Sequence, residues 1–403
     1  MFSKINYSTA HTRRSIGGGP KISTLCSEKR GHNFSNWSCT SDYLILLNKL
    51  KGIKLEGNPK GSEAIAVINS GETLGNIQQT LIKKGVFLAC GTRPSVGTGQ
   101  FVSGGIGFAT RAFGMTIEDV VAMDVVLATS DVSTSGKITK ISEQSERKLF
   151  WAMRGNGSNN YCAVIRYYIK THPCPPKVLV FTFNYDLDTN VVEWLTSEKR
   201  RKMNPNLTCQ LVISKTGIKF EGQQLNDDKV QLWRSLKDLP RPKSSEIKTV
   251  SMMEAFQYFS APTVREYVDG KSSFGMKELE LMAIERLFEA VQRIEGRFTI
   301  GIQQLKGKSV AKTSFIAPKS PFWINYTLRW TEERPDGDFE KIEILYSEMK
   351  KYLSPFAYQG YSDSRLKDPE FAYYGKLLPK LREIKTKYDP EDIFTHSNGI
   401  KPL

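Results

Sequence analysis

The sequence predicts an α+β protein: an α/β domain over residues 1–175, an antiparallel sheet flanked by helices over 176–354, and a segment over 355–403 that returns to the first domain. Three observations predict it. At 403 residues the chain is too long for one ordinary core. Between Ile65 and Pro173, short β-like runs alternate with helical and glycine-rich stretches. Beyond the proline-rich KTHPCPPK, the texture changes to strands of clear polar–apolar alternation.

In chain order, AIAVINSG reads as a strand and TLGNIQQTLIKKG as a helix, followed by a glycine-rich passage. Val120 to Leu127 is nearly continuous apolar sequence rich in valine, the pattern of a strand covered on both faces. VLVFTFNY, LTCQLVISKTGIKFEG and FWINYTLRW then read as members of one antiparallel sheet. Alternation in the last of these puts Phe322, Ile324, Tyr326, Leu328 and Trp330 on one face and Trp323, Asn325, Thr327 and Arg329 on the other. From Lys277 to Arg293, Leu279, Met282, Ile284, Leu287, Phe288 and Val291 fall near helical spacing. Leu377, Leu378, Leu381, Ile384 and Tyr388 mark one face of a late helix, which Asp389-Pro390 ends.

The net charge of +15 raises nucleic acid, an anionic surface and an acidic substrate as partners. Lys and Arg are spread over helices and turns, with no zinc-finger or recognition-helix pattern, so a solvated basic surface is the better reading and no nucleic acid is expected. Six cysteines lie far apart without a CxxC pair, which argues for buried free thiols and against a metal site. No stretch approaches the roughly 18 apolar residues of a membrane span, and no signal-peptide core is visible at the N-terminus. Sequons at Asn6, Asn33, Asn36, Asn156, Asn206 and Asn325 hint at secretion, but three fall within the motifs below and the compartment stays open.

The most informative passage is GTRPSVGTGQFVSGGIG, Gly91 to Gly107. Such glycine density lets several backbone N–H groups face one anion, a phosphate ester being the natural guest; the bland alternative is a tight surface loop. It is not a Rossmann fingerprint, because Val102 stands where a third glycine should follow Gly97 and Gly99. Nor is GIQQLKGKS, Gly301 to Ser309, a Walker loop, having one residue too many between its glycines.

The run SVGTGQFVSGGIGFATRAFGMTIEDVVAMDVVLA, then LFWAMRGNGSNNYCAVIRYYIKTHPCP, resembles the FAD-binding half of the berberine bridge enzyme-like oxidases, within the p-cresol methylhydroxylase and vanillyl-alcohol oxidase type flavoproteins. The stretch from AYQGYSD to HSNGI is similar to that family's C-terminal segment. The resemblance implies a two-subdomain FAD-binding domain followed by a substrate domain. It implies FAD attached covalently through His32 of RGHNF, with Gly31, Asn33, Pro94, Ser95, Val96, Gly97, Gly99, Gly104 and Gly105 lining the diphosphate and ring. Asn160, Tyr161 and Val164 would lie near the flavin's far side.

Three departures qualify it. Arg93 stands where many relatives have a cysteine that forms a second flavin bond, so a single tether is expected. Gly360 replaces the asparagine of the usual Tyr-x-Asn-Tyr pattern. Few residues precede His32, so the N-terminal unit reads as shortened. For the proton acceptor, the strand that carries an acid in some relatives offers none here, leaving Tyr358 with Tyr361 in support, helped by a cation such as Arg329. Two functions follow: oxidation of a small sugar, alcohol or alkaloid-like compound with dioxygen as acceptor, or a degenerate flavin-binding or non-enzymatic protein.

Overall fold

The computed structural model describes residues 6–9, 22–25, 32–35, 43–58, 64–128, 136–157, 159–199, 204–260, 266–305, 313–317 and 319–403. Its first sheet is small: β1 (Asn6–Thr9) and β2 (Ile22–Leu25) flank β3 (Tyr43–Leu46), antiparallel and parallel respectively. Two of its strands therefore precede His32.

The second sheet holds β4 (Ile53–Glu56) and β5 (Ile65–Asn69). Beyond the short β6 (Val86–Phe87) it continues with β7 (Val120–Leu127), β8 (Ile138–Ser142) and β9 (Cys162–Lys170), in the order β4-β5-β9-β7-β8. The valine-rich run β7 is deeply buried, as its composition predicts, yet every neighbouring pair in this sheet is antiparallel. A continuous apolar run reports two covered faces and not the direction of its neighbours. The helices Leu74–Ile82 and Arg147–Asn156 contribute Ile77, Leu81, Leu149 and Met153 to its core, and the C-terminal helix Leu378–Tyr388 adds Leu381 and Ile384. The C-terminal segment thus packs into the first core.

After β10 (His172–Pro173), which pairs with β6, the chain enters a seven-stranded antiparallel sheet. It comprises β11 (Val178–Tyr185), β12 (Leu207–Ser214), β13 (Gly217–Gln224), β14 (Ser244–Val250), β15 (Tyr267–Phe274), β16 (Arg297–Gln304) and β17 (Phe322–Trp330). The order is β14-β11-β13-β12-β16-β17-β15. One face meets the helices Leu281–Arg293 and Asp336–Met349 in a second core that includes Ile213, Phe220, Ile300, Ile324, Tyr326 and Leu328. The other face turns toward the first domain, and there the site lies.

The buried thiols behave as small hydrophobes: Cys90, Cys162 and Cys209 are buried and free, and burial pushes Cys90 and Cys209 up to about 12. Cys26 and Cys39 lie outside the described residues. No helix among the described residues is long and apolar enough to cross a membrane, and they contain no group of side chains that could hold a metal ion.

Candidate active site

The glycine-rich passage is held from behind by polar side chains. Gln78 exchanges hydrogen bonds with the backbone of Leu88, and the Gln100 amide oxygen accepts from Gly91 N–H at 3.0 Å. Thr98 donates to Ser70 O at 2.9 Å and Thr116 to Ala89 O at 2.7 Å. The first N–H groups of helix Leu74–Ile82 go to the same passage, Leu74 to Val96 O and Gly75 to Pro94 O.

Its glycines then divide by cause. Gly105 has φ +83°, and a Cβ there would collide with the Thr116 side chain, so the fold itself demands glycine. Gly104 has φ +158°, and its Cβ would sit 2.5 Å from the Tyr358 hydroxyl. Gly99 is different. Its φ is not positive, and a Cβ built on it would meet nothing within 4 Å. Among the described residues, the space beside Gly99 is therefore open.

Against this loop the structure brings two distant segments. His32 Nε2 lies 3.1 Å from Ser95 Oγ, so the loop orients the imidazole. Ser362 Oγ donates to Asn33 Oδ1 at 3.1 Å and accepts from Ser35 N–H at 3.1 Å, while the Phe34 ring meets Tyr361 edge-on at 5.0 Å. The proposed tethering loop therefore rests on the AYQGYSD segment. From the seven-stranded sheet, Trp323 packs against Tyr361 at 4.7 Å and Tyr358 at 5.7 Å, with Phe274, Phe315 and Met115 completing the cluster. Trp323 thus faces the seam and Tyr326 the helical core, as the alternation predicts.

Of the other predicted residues, Gly31 lies outside the described residues. Val96, Gly97 and Pro94 form the stitched rim just described. Val164 is tied to the loop through Ser70, whose hydroxyl donates to Val164 O at 2.6 Å. Asn160 and Tyr161 carry structural duties: the Asn160 amide donates to Asn156 O at 2.9 Å and accepts from Ile400 N–H at 3.0 Å, and Tyr161 is fully buried in the first core.

The two tyrosines differ in a way the sequence does not reveal. Tyr358 is 4% exposed, and its hydroxyl accepts from Gly105 N–H at 3.0 Å. Burial drives its phenol far upward, and that hydrogen bond opposes it only in part. Its ring folds over Gly360, where a Cβ would lie 2.5 Å from the ring; the glycine in place of asparagine makes room for this placement. Tyr361 is also raised by burial, but Arg93 and Arg329 both pull it back. The expected cation thus bears on Tyr361, together with a second arginine, and not on Tyr358.

Sequence reasoning missed a row of mostly polar residues across the face of the sheet that carries Trp323. Trp323, Gln303, Gln210, Glu221 and Thr182 are successive cross-strand partners on β17, β16, β12, β13 and β11. Gln303 is 6% exposed, accepts from Trp323 Nε1 at 3.4 Å, and leaves its Nε2 without a partner among the described residues. Buried donors without partners are uncommon, and this one begins at the ring that touches Tyr361. The signal was present as polar positions on alternating strands.

Comparison with known proteins agrees with the site. The FAD binding domain family model matches residues 29–136, and the berberine and berberine-like model matches 357–401, the two segments that converge here. The chain is 27% identical over 396 residues to the uncharacterised FAD-linked oxidoreductase YgaK of Bacillus subtilis (strain 168), covering 92% of this chain and 84% of that one. In fold it is similar to a solved chitooligosaccharide oxidase, with TM-score 0.83 at 22% identity over 95% of this chain and 87% of that one. It is likewise similar to the glucooligosaccharide oxidase from Acremonium strictum, described with a 6-S-cysteinyl, 8α-N1-histidyl FAD, with TM-score 0.80 at 21% identity over 95% and 87%. The fold and site define an FAD-linked oxidoreductase. The chain carries the FAD binding domain and the berberine and berberine-like domain, and is 24% identical over 455 residues to berberine bridge enzyme-like 25 of Arabidopsis thaliana, covering 95% of this chain and 82% of that one.

Proposed function

We propose that the protein oxidises a hydroxyl group of a carbohydrate-like substrate, holding FAD covalently through His32 alone and passing the hydroxyl proton to Tyr361. The observation that carries this reading is the convergence of His32, Ser95, Phe34, Tyr361 and Ser362 on one spot from three distant parts of the chain. The open space at Gly99 and the stitched loop fit FAD, with the backbone of residues 94–99 and 104–105 as its cradle. When bound, FAD supplies the acceptor for the hydride that leaves the substrate carbon.

The chain's own residues do the rest. Burial holds the Tyr361 phenol above its ordinary value, and Arg93 and Arg329 oppose this in part, toward the phenolate that accepts a proton. Tyr358 supports Gly105 from behind and packs Tyr361 in place. Gln303, whose Nε2 has no partner among the described residues, is the donor we assign to a further substrate hydroxyl beside Trp323. The oxidases of chito- and glucooligosaccharides that share the fold support that substrate class. Dioxygen is proposed as the final acceptor.

Acid precipitation tests the tether: flavin stays with the wild-type protein and washes out of His32→Ala, whereas flavin retained by the variant removes His32 from the role. Anaerobic bleaching of the flavin by a panel of mono- and disaccharides, followed by peroxide assay in air, tests substrate and acceptor. A protein that bleaches with none of the panel contradicts the carbohydrate reading.

A further inference from the structure

Between Tyr358 and Ser362 the chain turns on three residues, and one of them carries an amide. Gln359 is 6% exposed, and its Nε2 donates to Asn156 Oδ1 at 2.5 Å. The orientation of both amides follows from Ser314, whose carbonyl can only accept: it takes Asn156 Nδ2 at 2.6 Å, which turns Asn156 Oδ1 toward Gln359. Gln359 Oε1 is left buried without a partner, so among the described residues this one bond is the polar grip of the side chain. Asn156 reaches the spot because helix Arg147–Asn156 leaves helical geometry at Arg154 and at Gly155, where φ is +133°. A Cβ on Gly155 would lie 2.5 Å from Phe315 N, so the glycine admits residues 313–317 against the helix end. Ser314 fastens them there, donating from Oγ to Ala152 O at 2.9 Å and from its N–H to Arg154 O at 2.9 Å. Gly157, the residue after Asn156, donates to Val102 O at 3.2 Å, inside the glycine passage. Asn156 therefore stands where that passage, residues 313–317 between β16 and β17, and the turn that ends in Tyr361 meet.

We propose that Asn156 and Gln359 are positioning residues: their amide pair fixes the turn Gln359–Tyr361 against the end of helix Arg147–Asn156, and so sets the reach of the Tyr361 hydroxyl. The catalytic part of this rests on the oxidase reading above. The Tyr361 ring meets Trp323 at 4.7 Å, Phe34 at 5.0 Å and Tyr358 at 6.0 Å. Apolar contacts of this kind are largely non-directional, whereas a hydrogen bond weakens steeply as its angle changes. The sheet holds the start of the turn through Ser272 Oγ, which accepts from Tyr358 N–H at 2.9 Å. Gly360 has no side chain, so the bond from the turn to the helix falls to Gln359. A misplacement of about 1 Å in a reacting group can cost about 10²-fold in rate, which is the scale on which one such bond decides.

Hydrogen exchange of the purified holoprotein tests the position of the turn, and anaerobic flavin reduction tests its consequence. In Gln359→Met, which keeps the length of the side chain and loses its amide, the Tyr361 N–H bonded to Tyr358 O should exchange about three- to tenfold faster, while residues 147–153 of the helix exchange as in wild type. Asn156→Leu should do the same at the turn and also loosen residues 313–317. Wild-type exchange at the turn in either variant overturns the proposal, whether or not any sugar reduces the flavin. With the sugar of the panel above that bleaches fastest, each variant should lower the limiting rate of reduction by about 10- to 100-fold at nearly unchanged half-saturation. Placed on Tyr361→Phe, either substitution should add less than about twofold, because its effect passes through that hydroxyl. An equal cost with and without the hydroxyl marks a packing role and overturns the proposal. Tyr361→Phe alone separates this from failure of the oxidase reading: a rate within a few-fold of wild type removes Tyr361 as the proton acceptor, and exchange at the turn still decides whether the amide pair holds it.

Discussion

A phenol accepts a proton at useful rates only when something stabilises its anion, because its ordinary pKa lies near 10. The structure gives that help to Tyr361, through Arg93 and Arg329, while Tyr358 spends its hydroxyl on Gly105 N–H in a fully buried place. Tyr361→Phe should therefore slow anaerobic flavin reduction by about 10²–10⁴-fold, the usual worth of a positioned base, with the flavin still bound. Tyr358→Phe should cost less than about tenfold, since it loses one hydrogen bond behind the loop; a loss as large as that of Tyr361→Phe would restore it as the base. The sign of the pH dependence follows. The acceptor works deprotonated, so the rate rises with pH up to its pKa, and burial moves that limb to higher pH while the arginines draw it down. In Arg329→Met burial is less opposed, and the limb of the pH–rate profile should shift to higher pH; an unmoved limb means that Arg329 does not face the titrating group. The sequence made both tyrosines and Arg329 legible as candidates. It could not rank them, because the ranking depends on which phenol a backbone N–H 253 residues away consumes.

At the scale of elements, the glycine loop is where a reader of sequence sees most and distinguishes least. All its glycines look alike in the chain, yet Gly105 answers to φ and to Thr116, while a Cβ on Gly99 meets nothing among the described residues. Gly105→Ala should lower stability by about 2 kcal/mol or more, from left-handed strain and overpacking together. Gly99→Leu should leave the melting of the flavin-free protein nearly unchanged while its flavin-to-protein absorbance ratio collapses. Equal flavin content in Gly99→Leu and wild type would place the cofactor elsewhere. The strands and long helices were legible because periodicity survives in the sequence: β11, β12 and β17 and the helix Leu281–Arg293 fall within the stretches their patterns mark, and β13 runs two residues past its own. Pairing direction was not legible, since β7 is buried on both faces whether its neighbours run with it or against it. The Gln303–Gln210–Glu221 row was hidden for the same reason: a cross-strand neighbour exists only once register is set.

For the whole molecule, the question is what holds the substrate sheet in register with the segment that carries Tyr361. The link is Lys271 of β15, 1% exposed, whose ammonium lies 2.7 Å from Asp363 Oδ2 and 2.8 Å from Glu343 Oε1. Asp363 is itself 1% exposed and sits two residues beyond Tyr361, next to the Ser362 that grips Asn33 and Ser35. Its remaining oxygen accepts from Arg365 N–H, and its own N–H donates to Tyr373, so the carboxylate is fixed on several sides. One continuous path thus runs from the sheet through a buried ion pair to the tethering loop. Removing one member of such a pair strands the other charge out of water, which typically costs about 3–5 kcal/mol, more than the pair was worth. Lys271→Met should lower the unfolding free energy by that amount, read as a lower urea midpoint at unchanged slope. Adding Asp363→Asn, which neutralises the stranded carboxylate while keeping its shape, should recover part of the loss. The readout specific to this link is the flavin: with Ser362 released, Lys271→Met should lose flavin attachment or reduce it more slowly than a core variant of equal stability cost, such as Ile300→Ala in the second core. If both variants keep equal flavin content and equal reduction rates, Lys271 and Asp363 serve the fold alone, and the register of the site is set by the aromatic cluster around Trp323.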